Sequence, residues 1–399
     1  MKYSTYFCIR RLSGVVGYRL RAPQTQTGLY GVKDNFPQHK QRIWRSQRGS
    51  AKFWHTTLRI ITILMVPFFT MSILLPSILD AYNASCFMHD DRFDSHGNAT
   101  HNAAVWTTEL SEAVFPGICH SHNDYWRPHP LFSGLSVGCA SVEADVWLSP
   151  DGEDILVGHD KRSLAPSRTL RSLYIDLLLE VLNRVNLRST DDSTGQAHGV
   201  FSTEPNTTLI LFIDVKDDPA KTWPLVLQQL GPLRDKRYLS RHDRTMNTNQ
   251  SFWNGPITIV GIGNIVKRRD FRNASEYENE FFTASAPFRK AIGSILTGFS
   301  KKQLETLRKQ IQIARDRKLK SRLWGLPSWP ISQRDYVWET LTREGIDLLN
   351  ANDIASAATR HWESNYARGT AWVCATISFL FLYTLGLLWY ITKFGDTSS

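Results

Sequence analysis

Gly138-Cys-Ala-Ser-Val-Glu143-Ala-Asp145-Val-Trp-Leu148, then the turn Ser149-Pro-Asp-Gly152, then Asp154-Ile-Leu-Val-Gly158 running into His159-Asp160, is the stretch that decides how this chain folds. Short apolar runs rich in β-branched residues and bounded by turn formers are expected to be strands. In a strand, residues two apart share a face, so Glu143 and Asp145 project together. Two acids on one face of an otherwise apolar strand repel each other and lose hydration, which is destabilising unless a cation or a basic partner lies against them. A divalent-cation clamp is the expectation.

Working outward, the same pattern recurs. Phe115-Pro-Gly-Ile-Cys119 leads into His120-Ser-His-Asn-Asp-Tyr125, and a later apolar run ends in Ile213-Asp-Val-Lys216. A lone histidine is more often a satisfied core or surface residue than a catalyst. Ionisable groups recurring at successive strand ends reverse that preference, because active groups in parallel barrels collect at the C-terminal ends of strands. Asp214 and Lys216 share a face and fit either a buried ion pair or ligand and phosphate-binding roles. His122 and Asn123 either touch substrate or hold the turn, whereas His129 and Asp160 are assigned structural roles.

The elements between these sites alternate. Strands are expected near 115–120, 140–147, 155–159, 209–216, 256–262, 322–326 and 345–350. Leu170, Leu173, Tyr174, Leu177, Leu178, Val181 and Leu182 form a helical stripe. Further helices are expected over 301–318 and 332–344, the latter stopped by Gly345. About 250 residues of alternating elements is the size of a (β/α)8 barrel in the α/β class, here with its later strands weakly marked, so a distorted or incomplete barrel is anticipated.

His120, the Val142–Leu148 run, the Ser149–Gly152 turn and Val157-Gly-His-Asp160 resemble the signature of the glycerophosphodiester phosphodiesterases and phosphatidylinositol-specific phospholipases C. More narrowly, His120-Ser-His-Asn-Asp-Tyr125 with two flanking apolar segments resembles the fungal altered inheritance of mitochondria protein 6 family within that superfamily. The likeness spans roughly residues 112–360. Ile213–Lys216 resembles the superfamily's later Glu-x-Lys strand, and Gly345-Ile-Asp-Leu-Leu-Asn-Ala-Asn-Asp353 its closing strand. Two departures stand out: Ser121 occupies a position usually held by Arg, and Asp214 one usually held by Glu. The resemblance implies a phosphoric diester hydrolase acting on a glycerophosphodiester or phospholipid-derived substrate. Glu143, Asp145 and Asp214 would hold Mg2+ or Ca2+, His120 and His159 would act as acid and base, and His122, Asn123 and Lys216 would bind substrate. The alternative, to which Ser121 points, is a catalytically weak, membrane-anchored lipid-binding or scaffold protein.

Composition places this domain in a membrane context. The 399-residue chain is 42% hydrophobic with a formal charge of +10. Residues 1–57 hold eleven Lys or Arg and one acid, Asp34, so the excess belongs to that segment and the remainder is close to neutral. A nucleic-acid-binding catalytic domain is disfavoured, since its basic footprint should lie on the domain itself. Residues 58–79 and 371–392 are expected to be transmembrane helices. The organisation is then a basic cytoplasmic tail (1–57), a first span, a polar linker (80–111), the barrel (112–360) and a second span. The Lys/Arg bias before the first span directs the barrel to the lumenal side of an endomembrane. The other placement treats the Arg-rich segment as a mitochondrial transit peptide. Five Asn-x-Ser/Thr sequons, at Asn83, Asn98, Asn206, Asn249 and Asn273, lie between the spans. The cysteines show no metal-type spacing, and Cys119 is expected to be a small buried residue.

Overall fold

The computed structural model describes residues 61–63, 65–72, 74–75, 78, 99–188, 197–242, 252–267, 283–295, 298–360, 362 and 366–394. The basic segment 1–57 and four of the five sequons lie outside the described residues. Ten strands occur among those described: β1 Gly117–Ser121, β2 Cys139–Leu148, β3 Ile155–Val157, β4 Leu209–Val215, β5 Arg241–His242, β6 Phe252–Trp253, β7 Ile257–Gly263, β8 Thr283–Pro287, β9 Lys320–Trp324 and β10 Leu348–Ala351.

Seven of these form one parallel sheet in the order β7-β4-β2-β1-β10-β9-β8. Successive strands are neighbours, and the pairing of β1 with β10 brings the start of the domain against its end, giving a nearly closed barrel. Among the described residues β7 and β8 do not pair, so the sheet has seven parallel strands where eight were expected. The run at 155–159 accounts for part of this difference. It forms β3, antiparallel to β2 with Val146 opposite Val157 and Leu148 opposite Ile155. Only the short segment 149–154 joins the two, and a parallel crossover needs a dozen or more residues. Conversely, Thr-Ala-Ser-Ala-Pro at β8 has no apolar alternation to announce it, yet it pairs in register with β9.

Alternation on β2 divides two layers. Val142, Ala144 and Val146 face outward with Leu209, Leu211, Ile213, Val215, Ile257 and Ile259 into the main core beneath the helices. The other face looks into the barrel, where Ile210, Phe212, Val260 and Leu348 make a small apolar plug. A separate outer core gathers Cys119, Cys139, Leu323 and Leu349 with Leu307, Ile311, Val337 and Leu341 from the two later helices, Lys301–Asp316 and Ile331–Arg343. The predicted stripe on the helix after β3 is buried at every position from Leu170 to Leu182 named above. Its first turns are wider than α-helical, over Arg171–Ile175, before Asp176–Arg188 continues it.

A 29-residue helix, Tyr366–Phe394, closes the described chain. Its Ala371–Trp389 portion has a mean hydropathy of 1.9 and is almost wholly exposed, long and apolar enough to cross a bilayer. The earlier apolar segment is shorter in the described residues, within Ile61–Ser72, so one helix rather than two meets the length for a span. Phe69 of that segment stands 4.8 Å from Phe379 and 6.3 Å from Trp372, ring to ring.

Candidate active site

Glu143, Asp145 and Asp214 lie on the inner faces of the adjacent strands β2 and β4, with Asp145 directly opposite Asp214. One oxygen from each lies within 4.8 Å of the others. Oxygen ligands of Mg2+ or Ca2+ sit at roughly 2.0–2.6 Å from the ion and so no more than about 5 Å from one another, which this spacing meets. The donor chemistry also fits. Asp145 Oδ1 and Asp214 Oδ1 are buried and accept no hydrogen bond, although buried carboxylate oxygens are normally satisfied. Space beside Asp214 depends on Gly263, at φ +77°, because a Cβ there would stand 2.0 Å from Asp214 Oδ1 and 2.6 Å from the Val215 carbonyl oxygen.

Lys216 Nζ donates to Asp214 Oδ2 at 2.7 Å and pairs with Asp145 Oδ2 at 2.9 Å, so the pair is an ion pair and it lies beside the acid cluster. Burial works against the ammonium, but the two carboxylates outweigh it and raise its pKa. Burial raises the Asp145 carboxyl in turn, and Lys216 only partly opposes this. Tyr125 OH stands 2.8 Å from Asp145 Oδ2 and 3.0 Å from Asn123 Oδ1. Burial and the nearby acids keep this phenol protonated as a donor.

The three histidines differ sharply. His120 is fully buried, with its ring edge-on to Phe212 at 4.7 Å. Nε2 faces Glu143 Oε2 at 3.3 Å and Nδ1 faces Ser141 Oγ at 2.8 Å. A carboxylate only accepts, so the neutral ring carries its proton on Nε2 and accepts a hydrogen bond from the Ser141 hydroxyl at Nδ1. Burial and then Arg322 push its pKa down to about 3, which keeps it neutral. Two residues further along, His122 is partly exposed; its Nδ1 donates to Asn352 Oδ1 at 2.6 Å, leaving the Nε2 lone pair 3.7 Å from Glu143 Oε2. His159, beyond β3, has a side chain 53% exposed, with Nδ1 at 3.3 Å from Tyr125 OH and 3.4 Å from Asp145 Oδ2. Trp126 stands beside it, ring centroids 5.0 Å apart. Nε2 is thus the nitrogen left for a ligand. The expected histidines and Lys216 therefore all contact the acid cluster, but His120 is fully buried while His122 and His159 reach the surface.

Several partners were not legible locally. Arg322 on β9 is buried, donates to Glu143 Oε2 at 3.2 Å, and is itself held by Asn350 Oδ1 at 2.6 Å. Burial alone would raise the Glu143 carboxyl, but Arg322 and His120 hold it well below the usual carboxylate range. Arg127 lies beside Ser121, donating to Ser121 Oγ at 3.4 Å and to the His122 carbonyl at 3.3 Å. Asp124 fixes this turn by accepting from Ser121 Oγ at 2.6 Å, from the Leu131 amide at 2.6 Å and from Tyr174 OH at 3.1 Å. Asn123 takes the left-handed conformation, φ 51°, that asparagine tolerates well. Asp160 is structural as expected: its Oδ1 accepts from the amides of Arg162 and Ser163. A cleft of about 100 Å3 beside His122 is bordered by Gly325–Ser328, Arg334, Asn350 and Asn352.

A family model described as "AIM6-like phosphodiesterase domain" matches residues 108–283. That span contains the three acids, Lys216 and all three histidines, and ends before Arg322. The chain is 38% identical over 276 residues to a protein of Arthroderma benhamiae named altered inheritance of mitochondria protein 6 homolog, covering 63% of this chain and 86% of that one. It is 34% identical over 265 residues to altered inheritance of mitochondria protein 6 of Eremothecium gossypii, covering 59% and 67%. The Saccharomyces cerevisiae protein of that name is 32% identical over 293 residues, covering 63% of this chain and 72% of its own length.

Proposed function

The chain belongs to the altered inheritance of mitochondria protein 6 family, and on that premise we propose that it is a metal-assisted phosphoric diester hydrolase acting on a glycerophosphodiester or phospholipid-derived substrate. The observation that carries this reading is the acid cluster: three carboxylates with oxygens within 4.8 Å of one another, two of them with an unpaired buried oxygen, beside an exposed imidazole. Three carboxylates against Lys216 and Arg322 leave one net negative charge. A divalent cation reverses that sign, and a monoanionic phosphodiester then neutralises it.

Glu143, Asp145 and Asp214 would hold Mg2+ or Ca2+, which when bound offsets charge building on the phosphate oxygens. Lys216 adds a second positive charge at the same wall. His159 presents Nε2 toward the substrate while Asp145 and Tyr125 hold its other nitrogen, so it suits protonation of the leaving oxygen. The proton from the attacking hydroxyl or water needs an accessible imidazole. His122, with its lone pair on Nε2 and its ring partly exposed, fits that task, and His120 becomes a positioning residue that orients Glu143. Asn123 acts by holding Tyr125. The partly exposed cleft beside His122 and the apolar helix after the barrel support a substrate drawn from a bilayer. The relatives' name ties them to inheritance of mitochondria, a link that names no substrate for this chain.

The test uses the detergent-solubilised full-length chain on glycerophosphodiesters and phosphoinositides, with and without chelator. Turnover that EDTA abolishes and added Mg2+ or Ca2+ restores supports the reading, with His159→Ala and His122→Ala both impaired. Lipid binding with no turnover under any metal overturns it in favour of a scaffold.

A further inference from the structure

Two features of the barrel take no part in the site, and they call for the same surroundings. The first is Asn206-Thr207-Thr208, an Asn-x-Thr sequon on the loop before β4, at the rim opposite the C-terminal strand ends that carry the acids. It is the one sequon within the described residues. Asn206 is exposed on a turn closed by the Thr207 amide donating to the Glu204 carbonyl at 3.0 Å and by Thr207 Oγ1 donating to Glu204 Oε2 at 3.0 Å. Its own carboxamide makes no hydrogen bond among the described residues. A sequon alone is weak, since composition produces several by chance.

The second feature is independent of the first. Cys119 and Cys139 are joined by a disulfide that ties β1 to β2 on their outer faces, both residues buried in the later core. Disulfides form and persist in secretory and extracellular compartments and are rare where glutathione and thioredoxin keep thiols reduced. N-glycans are added to Asn-x-Ser/Thr in that same secretory route.

We infer that this barrel matures in the oxidising lumen of the secretory pathway, where Asn206 accepts an N-glycan and Cys119 pairs with Cys139. In the first step, Asn206 Nδ2 forms a bond to the anomeric carbon of a lipid-diphosphate-linked oligosaccharide. The carbon–oxygen bond to the diphosphate breaks, the lipid diphosphate leaves with the electron pair, and the amide loses one proton. In the second, two thiols give up two electrons and two protons to the disulfide of a thiol oxidoreductase, which is reduced to its dithiol. A glycan at this rim leaves the opposite, acid-bearing mouth uncovered.

The experiment is peptide mapping of the full-length chain made in a yeast host, with free thiols alkylated before reduction. The expected result is a glycopeptide at Asn206, released by peptide N-glycosidase with conversion of that asparagine to aspartate, and a Cys119–Cys139 cross-linked pair that separates only on reduction. Thr208→Val, which keeps the asparagine but destroys the sequon, should remove one glycan. An Asn206 peptide recovered wholly unmodified, or Cys119 and Cys139 alkylated before reduction, overturns the inference. Both readouts are covalent masses, so they stand or fall separately from the hydrolase assay.

Discussion

Glu143 and Asp214 stand at the two ends of one acid cluster, and the protein treats them differently. Glu143 Oε2 is held by Arg322 at 3.2 Å and by His120 at 3.3 Å, with His122 Nε2 further off at 3.7 Å. Asp214 has Lys216 on one oxygen, shared with Asp145, and nothing on the other. A buried carboxylate oxygen left unpaired costs free energy unless something binds there. At the Glu143 end Arg322 and His120 hold one oxygen, Oε2, which fixes the carboxylate in place beside the other two acids. The Asp145–Asp214 end carries the unpaired buried oxygens, where a cation could bind.

Substitutions at both ends test this contrast. The largest effect is expected from Asp145→Asn combined with Asp214→Asn, which should lower phosphodiester cleavage by on the order of 10^3-fold, about the loss of a cation's electrostatic contribution. Thermal unfolding should shift little, because relief of the repulsion between two acids offsets the loss of both Lys216 partners. The triple variant that also carries Lys216→Met removes the stranded ammonium, and a marked loss of stability in it would show instead that these acids are structural. Arg322→Met reverses the pattern. It strands Glu143 as an unpaired buried charge and should cost about 3–5 kcal/mol in urea unfolding; an unaffected midpoint would show that the two ends are alike. His159→Ala should reduce turnover by about 10^2-fold with unchanged unfolding, while His120→Ala should lower stability as well as activity. The smallest effect is expected for Gly263→Ala, about 1–3 kcal/mol from strain at positive φ, accompanied by weaker cation affinity measured by calorimetry as Asp214 is displaced.

The difference between the two ends also explains what was readable in advance. Asp145, Asp214 and Lys216 belong to short motifs whose period-2 spacing sets their shared face, so their convergence was visible from the chain alone. Arg322 was not, because it lies 179 residues from Glu143 and sits in Lys-Ser-Arg-Leu-Trp, which reads like any basic strand end. Only closure of the sheet through β10 brings it across the barrel. The same holds for the disulfide: Cys119 and Cys139 are 20 residues apart with no motif between them, and only the pairing of β1 with β2 makes them neighbours. His120 lies on β1 and His122 in the turn just after it, and their different depths follow from where that strand ends relative to its neighbours, which local pattern does not encode. The antiparallel direction of 155–157 follows from the chain itself, since a link as short as 149–154 rules out a parallel crossover.

The antiparallel pairing of β2 and β3 places Glu143, Asp145 and His159 on a single hairpin of 17 residues. Two of the three acids and an imidazole thus sit in one short stretch of chain, and no long loop has to close before they meet. His159 lies past Val157, the last residue of β3, where the backbone bends at 159–160. A side chain at Gly158 would meet Ser163 and Leu164, so Gly158→Val should shift that bend and draw the imidazole away from Asp145.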